Sequence, residues 1–200
     1  TAKCACLLPI CLDDVAPDPA TSEHKLAYFL LGILMSRALE SPGARLSVLW
    51  KRLSPLPGGQ WLFSRLLGLM VPYSGSLKAT VTHLEPGHAK VRLRDRRRVR
   101  NHLDSVHAVA IANLGELSTG LALIGALDPQ TRGILTGLET TYNKKARGVL
   151  VAEALCVVPE VTGDMEQVVM AQIRDAAGDV VAVASARWRL SPRRPEAVPT

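Results

Sequence analysis

Aromatic side chains make up only 4% of this 200-residue chain. Nucleic-acid surfaces usually interleave basic residues with stacking aromatics, so this poverty argues against a nucleic-acid partner. Cysteine is also scarce: Cys4, Cys6 and Cys11 crowd one end while Cys156 stands alone in an apolar run. That is no disulfide framework, and no paired His or Cys accompanies it for zinc, so a reducing, cytoplasmic setting without a bound metal is expected. Long lipid-like runs are missing too. The segment 26–35 offers about ten apolar residues where a helix needs roughly twenty to cross a bilayer. Asp13, Asp14, Asp18 and Glu23 precede it where a signal peptide would carry positive charge. A short helix and no integral membrane span are expected there.

What the chain does have is apolar content, 48%, enough to bury a sizeable core in one domain. It also carries 24 Lys and Arg against 18 Asp and Glu, a net charge of +6, which attracts anions without choosing among them. Residues 1–45 are expected to form a tail with one short helix, 46–190 the folded domain with a helical lead-in over 46–70 and a core over 71–190, and 191–200 a disordered tail.

In the lead-in, Leu46, Leu49, Trp50 and Leu53 and then Trp61, Leu62, Leu66 and Leu69 recur at helical spacing around Pro55, Pro57, Gly58 and Gly59. Two short helices around a turn are expected. The period then changes to two: Leu77, Ala79 and Val81 alternate with polar residues, Glu85-Pro86-Gly87 turns the chain, and Ala89, Val91 and Leu93 alternate with Lys90, Arg92 and Arg94. This predicts a hairpin with one wet face. An apolar helix from Val106 to about Leu127 follows, then strands over 133–142, 149–158, 165–175 and 180–190. A helix apolar nearly all round must be covered on nearly all sides, and an antiparallel sheet curled around it is the simplest cover. The open edges of such a sheet predict homodimerisation.

Within the helix one residue stands out. Glu116 is a lone carboxylate among Ala108-Val109-Ala110-Ile111-Ala112-Asn113-Leu114-Gly115 and the apolar residues beyond. Burying an unpaired carboxylate costs several kcal/mol, roughly, unless something compensates, and chemistry is one reason to keep it. A polar pair with Asn113 at i, i+3 is the plainer alternative. Gly115 and Gly120 each cost about 1 kcal/mol against Ala inside a helix and point to close packing.

Asn101 lies six positions before His107, and Glu116 nine positions after it. With the strand pair, central helix and four-stranded return, this pattern resembles the acyl-CoA thioesterases of the phenylacetyl-CoA thioesterase (PaaI-like) group over about residues 70–190. The resemblance implies an α+β hotdog fold: a curved antiparallel sheet of about six strands wrapped around one central apolar helix. Two departures are visible, Ala108 where the group has Gly after the His, and Glu where close relatives often have Asp.

The implied activity is hydrolysis of a fatty or aryl acyl-CoA thioester, with coenzyme A as part of the substrate and no cofactor. Ser105 or Asp104 is expected to cap the helix, leaving N–H groups near His107 and Ala108 at the positive end of the helix dipole. The Ala108 N–H would receive the oxyanion and His107 would position or polarise the thioester. Glu116 is too far along the helix to touch His107. The resemblance therefore implies sites completed across a homodimer or dimer of dimers, with Glu116 as general base or nucleophile and Asn101 orienting the water or carboxylate. His107 as part of the cap, with His102 or Ser105 the residue that matters, is the competing assignment. Lys144, Lys145, Arg147 and Arg100, with Asn113, are the expected substrate-binding residues, the cations meeting CoA phosphates or simply solvent. A hotdog dimer that binds acyl-CoA or acyl-carrier protein without turnover is the alternative function, and Ala108 is the feature that favours it.

Overall fold

Ser41 begins the first described helix by accepting the Ala44 N–H on its hydroxyl at 3.1 Å, and Pro42 occupies the first turn, where its missing N–H costs no hydrogen bond. The computed structural model describes residues 41–157 and 160–193. Helix α1 spans Pro42–Leu53, α2 Gly59–Met70 and α3 Pro72–Gly75. The turn between α1 and α2 passes through Gly58 at φ 73, a left-handed conformation that suits glycine.

Strands β1 (Thr80–Glu85) and β2 (His88–Leu93) form the expected hairpin through Pro86 and Gly87, with Gly87 at φ 80. Val81, Ala89, Val91 and Leu93 are buried while Arg92 and Arg94 lie on the wetter face. A register shift between Val81 and His83 turns Leu84, not His83, into the core.

Helix α4 (Ala108–Ala126) is followed by β3 (Thr131–Tyr142), β4 (Leu150–Leu155), β5 (Met165–Arg174) and β6 (Val180–Pro192). All neighbours pair antiparallel in the order β1-β2-β4-β5-β6-β3. The sheet packs its inner face on α4, which buries Ile111, Leu114, Leu121, Ala122 and Leu123. Small residues set the closeness of that packing. Ala182, Ala184 and Ala186 line β6, and a Cβ built on Gly115 would overlap the Ala184 methyl. Helix α4 is long and apolar enough to cross a membrane, so residues 26–35 are not the chain's only lipid-like stretch, but its apolar side chains form the core of this fold.

The two sheet edges differ. Helix α2 covers β1: the Val81 N–H donates to Ser64 Oγ at 2.9 Å, and Gln60 Nε2 donates to the Thr82 carbonyl at 3.3 Å. Strand β3, with β6 on one side, has no strand on its other side among the described residues.

Several boundaries move. The lead-in begins at Pro42 rather than 46, and β6 continues through Ser191 and Pro192, which pair with Arg132 and Thr131, so those two residues are strand and not tail. Helix α4 starts at Ala108, two residues later than expected, because Val106 bridges to Arg100 and donates its N–H to the Ala146 carbonyl. The expected helix over 26–35 and the end of the tail from 194 lie outside the described residues.

Candidate active site

The approach to α4 is a tight loop organised by Asn101. Its Oδ1 accepts from the Leu103 N–H at 2.9 Å, the Ser105 N–H at 3.3 Å and the Ser105 hydroxyl at 3.1 Å. That geometry corrects the expected cap. The Ser105 hydroxyl is spent on Asn101, and Asp104 sits in the left-handed region at φ 52. His107 caps the helix instead, in extended backbone, with its Nδ1 accepting the Val109 N–H at 3.1 Å. A neutral ring that accepts at Nδ1 carries its proton on Nε2, so His107 has a donor left for another oxygen. Asn101 is half-buried, whereas His107, Ala108 and Val109 are exposed, and the Ala108 N–H has no hydrogen-bond partner among the described residues. The Ala108 carbonyl accepts from the Tyr142 hydroxyl at 3.0 Å, a contact that ties the end of β3 to the helix start.

The loop is clamped by charges. Asp95 receives Arg100 Nε at 2.6 Å on one oxygen and the Gly148 N–H at 2.9 Å on the other. The Arg100 hydrogen bond, with help from Gly148 and Arg147, holds the Asp95 carboxyl below the usual carboxylate range. Arg147 donates to the Asp104 and Leu103 carbonyls. Lys144 pairs with Asp175 at 2.8 Å and with Asp179 at 2.5 Å. Thus Arg100, Arg147 and Lys144 are engaged within the chain, and Lys145 is exposed.

Glu116 lies nine positions after His107, about 14 Å of helical rise, so the two groups do not meet within one chain. Burial raises the Glu116 pKa, and among the described residues its carboxylate has no hydrogen bond or ion pair. It does not stand alone as an unpaired polar group. Asn113 Oδ1, one helical turn before it, is buried without a partner among the described residues, and no hydrogen bond there joins Asn113 to Glu116. Trp188 Nε1 and Thr140 Oγ1 are likewise buried and unpartnered among the described residues. The Trp188 ring and Glu116 Oε1 both flank Gly120, while Thr140 pairs across the sheet with Ala184, the residue packed on Gly115. Four polar groups without partners thus lie along the side of α4 served by β6 and β3. Trp188 and Thr140 carry no spacing signal, because only the sheet register brings them beside the helix.

A six-stranded antiparallel sheet closed around one apolar helix is a hotdog domain. Its sequence matches the family model "Domain of unknown function (DUF4442)" over residues 59–190, and the chain belongs to that family. Among solved structures it is similar to the genomics protein APC5556, at 28% identity and TM-score 0.65 over 74% of this chain and 98% of that one. It is also similar to PA5026 from Pseudomonas aeruginosa, described as a probable thioesterase, at 22% identity and TM-score 0.61 over 69% and 97%. A point mutant of the thioesterase SAV0944 from Staphylococcus aureus aligns at 15% identity and TM-score 0.54 over 60% and 99%. No curated protein matches the chain.

Proposed function

We propose that this protein hydrolyses the thioester of a fatty or aryl acyl-CoA at sites shared between two copies of the chain. The observation that carries the proposal is Glu116, a half-buried carboxylate in the middle of an apolar helix without a partner among the described residues, beside the unpartnered Asn113 Oδ1. Such a group costs stability and so asks for a use. The hotdog fold, and the thioesterases among the proteins that share it, support thioester chemistry as that use.

In this mechanism the helix start of one subunit holds the thioester carbonyl, with the Ala108 N–H and His107 Nε2–H as donors. One such preorganised donor is worth on the order of 3 kcal/mol to a developing oxyanion. Glu116 of the second subunit takes a proton from water, whose oxygen attacks the carbonyl. Collapse of the tetrahedral intermediate breaks the carbon–sulfur bond, and the thiolate leaves with that proton. In the alternative route the Glu116 carboxylate attacks the carbonyl and expels the thiolate, and water then hydrolyses the resulting anhydride to the same products. Asn101 shapes the loop that presents these donors, and Lys145 is the exposed cation beside the helix start available to a CoA phosphate, with Lys144, Arg147 and Arg100 bracing the surrounding backbone.

The test is thiol release from a panel of acyl-CoAs of graded length and with aryl groups. Turnover that falls at least a hundredfold in Glu116→Gln supports the mechanism, and turnover undiminished by that change overturns it. Ala108, whose Cβ narrows the carbonyl's approach where glycine would not, favours a second reading as an acyl-CoA or acyl-carrier-protein binding module. Tight, saturable acyl-CoA binding without turnover would establish that reading instead.

A further inference from the structure

Three of the four remaining buried polar atoms without partners among the described residues gather at the opposite edge of the sheet; the fourth, His83 Nε2 on β1, lies 3.7 Å from a Glu85 carboxylate oxygen. Among the described residues, Arg65, Arg92 and Arg96 each bury their Nε with no hydrogen-bond partner. All three line one groove of about 670 Å³ between α2 and the wet face of the β1–β2 hairpin, with Lys78 and Arg94 completing a set of five cations. No carboxylate lines the groove among the described residues. Burial, and then the charges of the neighbouring Arg65 and Arg98, lower the pKa of Arg96. The arrangement is held in place by the fold. Arg96 donates to the backbone carbonyls of Ser76 and Leu77, and Lys78 is fixed at φ 46, a left-handed conformation unusual for a side chain with a Cβ. Trp61, 57% exposed at the rim, carries the Arg65 guanidinium 6.0 Å from its ring centroid.

Unpaired buried donors of one sign call for an acceptor of the other, and forked guanidinium groups match phosphate oxygens. The groove volume falls within the roughly 300–1,000 Å³ of small-ligand sites. We infer that the arginine groove beside α2 is a binding site for a ligand bearing phosphate groups, separate from the helix start and from Glu116. The exposed Trp61 face adds an apolar contact at its mouth. The same chemistry is offered by a soluble polyphosphate compound or by anionic lipid headgroups, and the two sources are separable by experiment.

The full chain is titrated calorimetrically with tripolyphosphate, and in a second arm is sedimented with phosphatidylcholine vesicles with and without phosphatidylglycerol. Binding in the first arm identifies a soluble ligand and binding that requires phosphatidylglycerol a headgroup, and where both bind, the tighter probe identifies the source. The Arg92→Gln/Arg94→Gln double variant should weaken binding about tenfold through loss of charge-assisted contacts. The charge-matched Arg187→Gln/Arg189→Gln variant, altered on exposed positions of β6, should stay within about twofold. Absence of binding to both probes, or an equal loss in the two variants, overturns the inference. Because the readout is binding and not turnover, it stands or falls apart from the thioesterase proposal.

Discussion

Replacing Glu116 by Gln keeps nearly the same volume and removes the desolvated charge, so stability and activity should move in opposite directions. The folded state holds the Glu116 proton more tightly than the unfolded chain does. The wild type is therefore at its relative worst above that raised pKa and loses the handicap as pH falls below the ordinary carboxylate range. Thermal melts should show Glu116→Gln more stable at neutral pH, with the difference vanishing in acid. The wild-type kcat/KM should rise with pH through the same titration, and that limb should be missing from any residual activity of the variant. Asn101 makes a second prediction. Asn101→Ala strips the acceptor from three hydrogen bonds and should cost about 1–2 kcal/mol, whereas Asn101→Asp, which keeps an acceptor there, should recover most of it in denaturant titrations. The spacing of Asn101, His107 and Glu116 is legible in the sequence. The His107 cap is not, because Ser105 and Asp104 are the better cap formers by residue type, and what disqualifies them is a hydrogen bond to Asn101 and a left-handed backbone. The ion pairs of Lys144 were hidden for a simpler reason: Asp175 and Asp179 reach it only through the β3–β6 neighbourhood of the folded sheet.

Among the elements, α4 and the sheet depend on small residues where they touch. Gly115→Ala would drive a methyl into the Ala184 side chain and should destabilise by about 1–3 kcal/mol. Gly120→Ala meets the edge of the Trp188 ring at 3.2 Å and Glu116 Oε1 at an ordinary 3.9 Å, and should cost clearly less in the same melts. The β1–β2 hairpin is legible from alternation, since one face is apolar and the other wet, whereas β3 and β5 also expose Ile134, Leu138, Val168 and Met170. Alternation failed locally at the β1 bulge, where one extra residue reverses the phase, and at Leu77, which is buried yet closes the α3 turn through its N–H to the Ser74 carbonyl instead of opening β1.

For the whole molecule, the sheet order decides what the edges do. Alternation cannot reveal that β3 crosses to the far side of β6 while α2 seals β1, since both facts rest on contacts distant in sequence. A twelve-residue edge strand with backbone groups facing outward is the natural surface for a second copy. Light scattering should accordingly give at least twice the 21.5 kDa of one chain. The central claim, that one subunit's helix start works with the other's Glu116, is tested most directly by complementation. Glu116→Gln and His107→Ala chains, differently tagged and co-expressed, are isolated as the mixed dimer and assayed for thiol release. One site of that dimer is then fully intact and the other doubly impaired, so about half of the wild-type turnover should return although each parent is inactive. A mixed dimer as inactive as its parents would place Glu116 and His107 in the same subunit's chemistry and contradict the shared site.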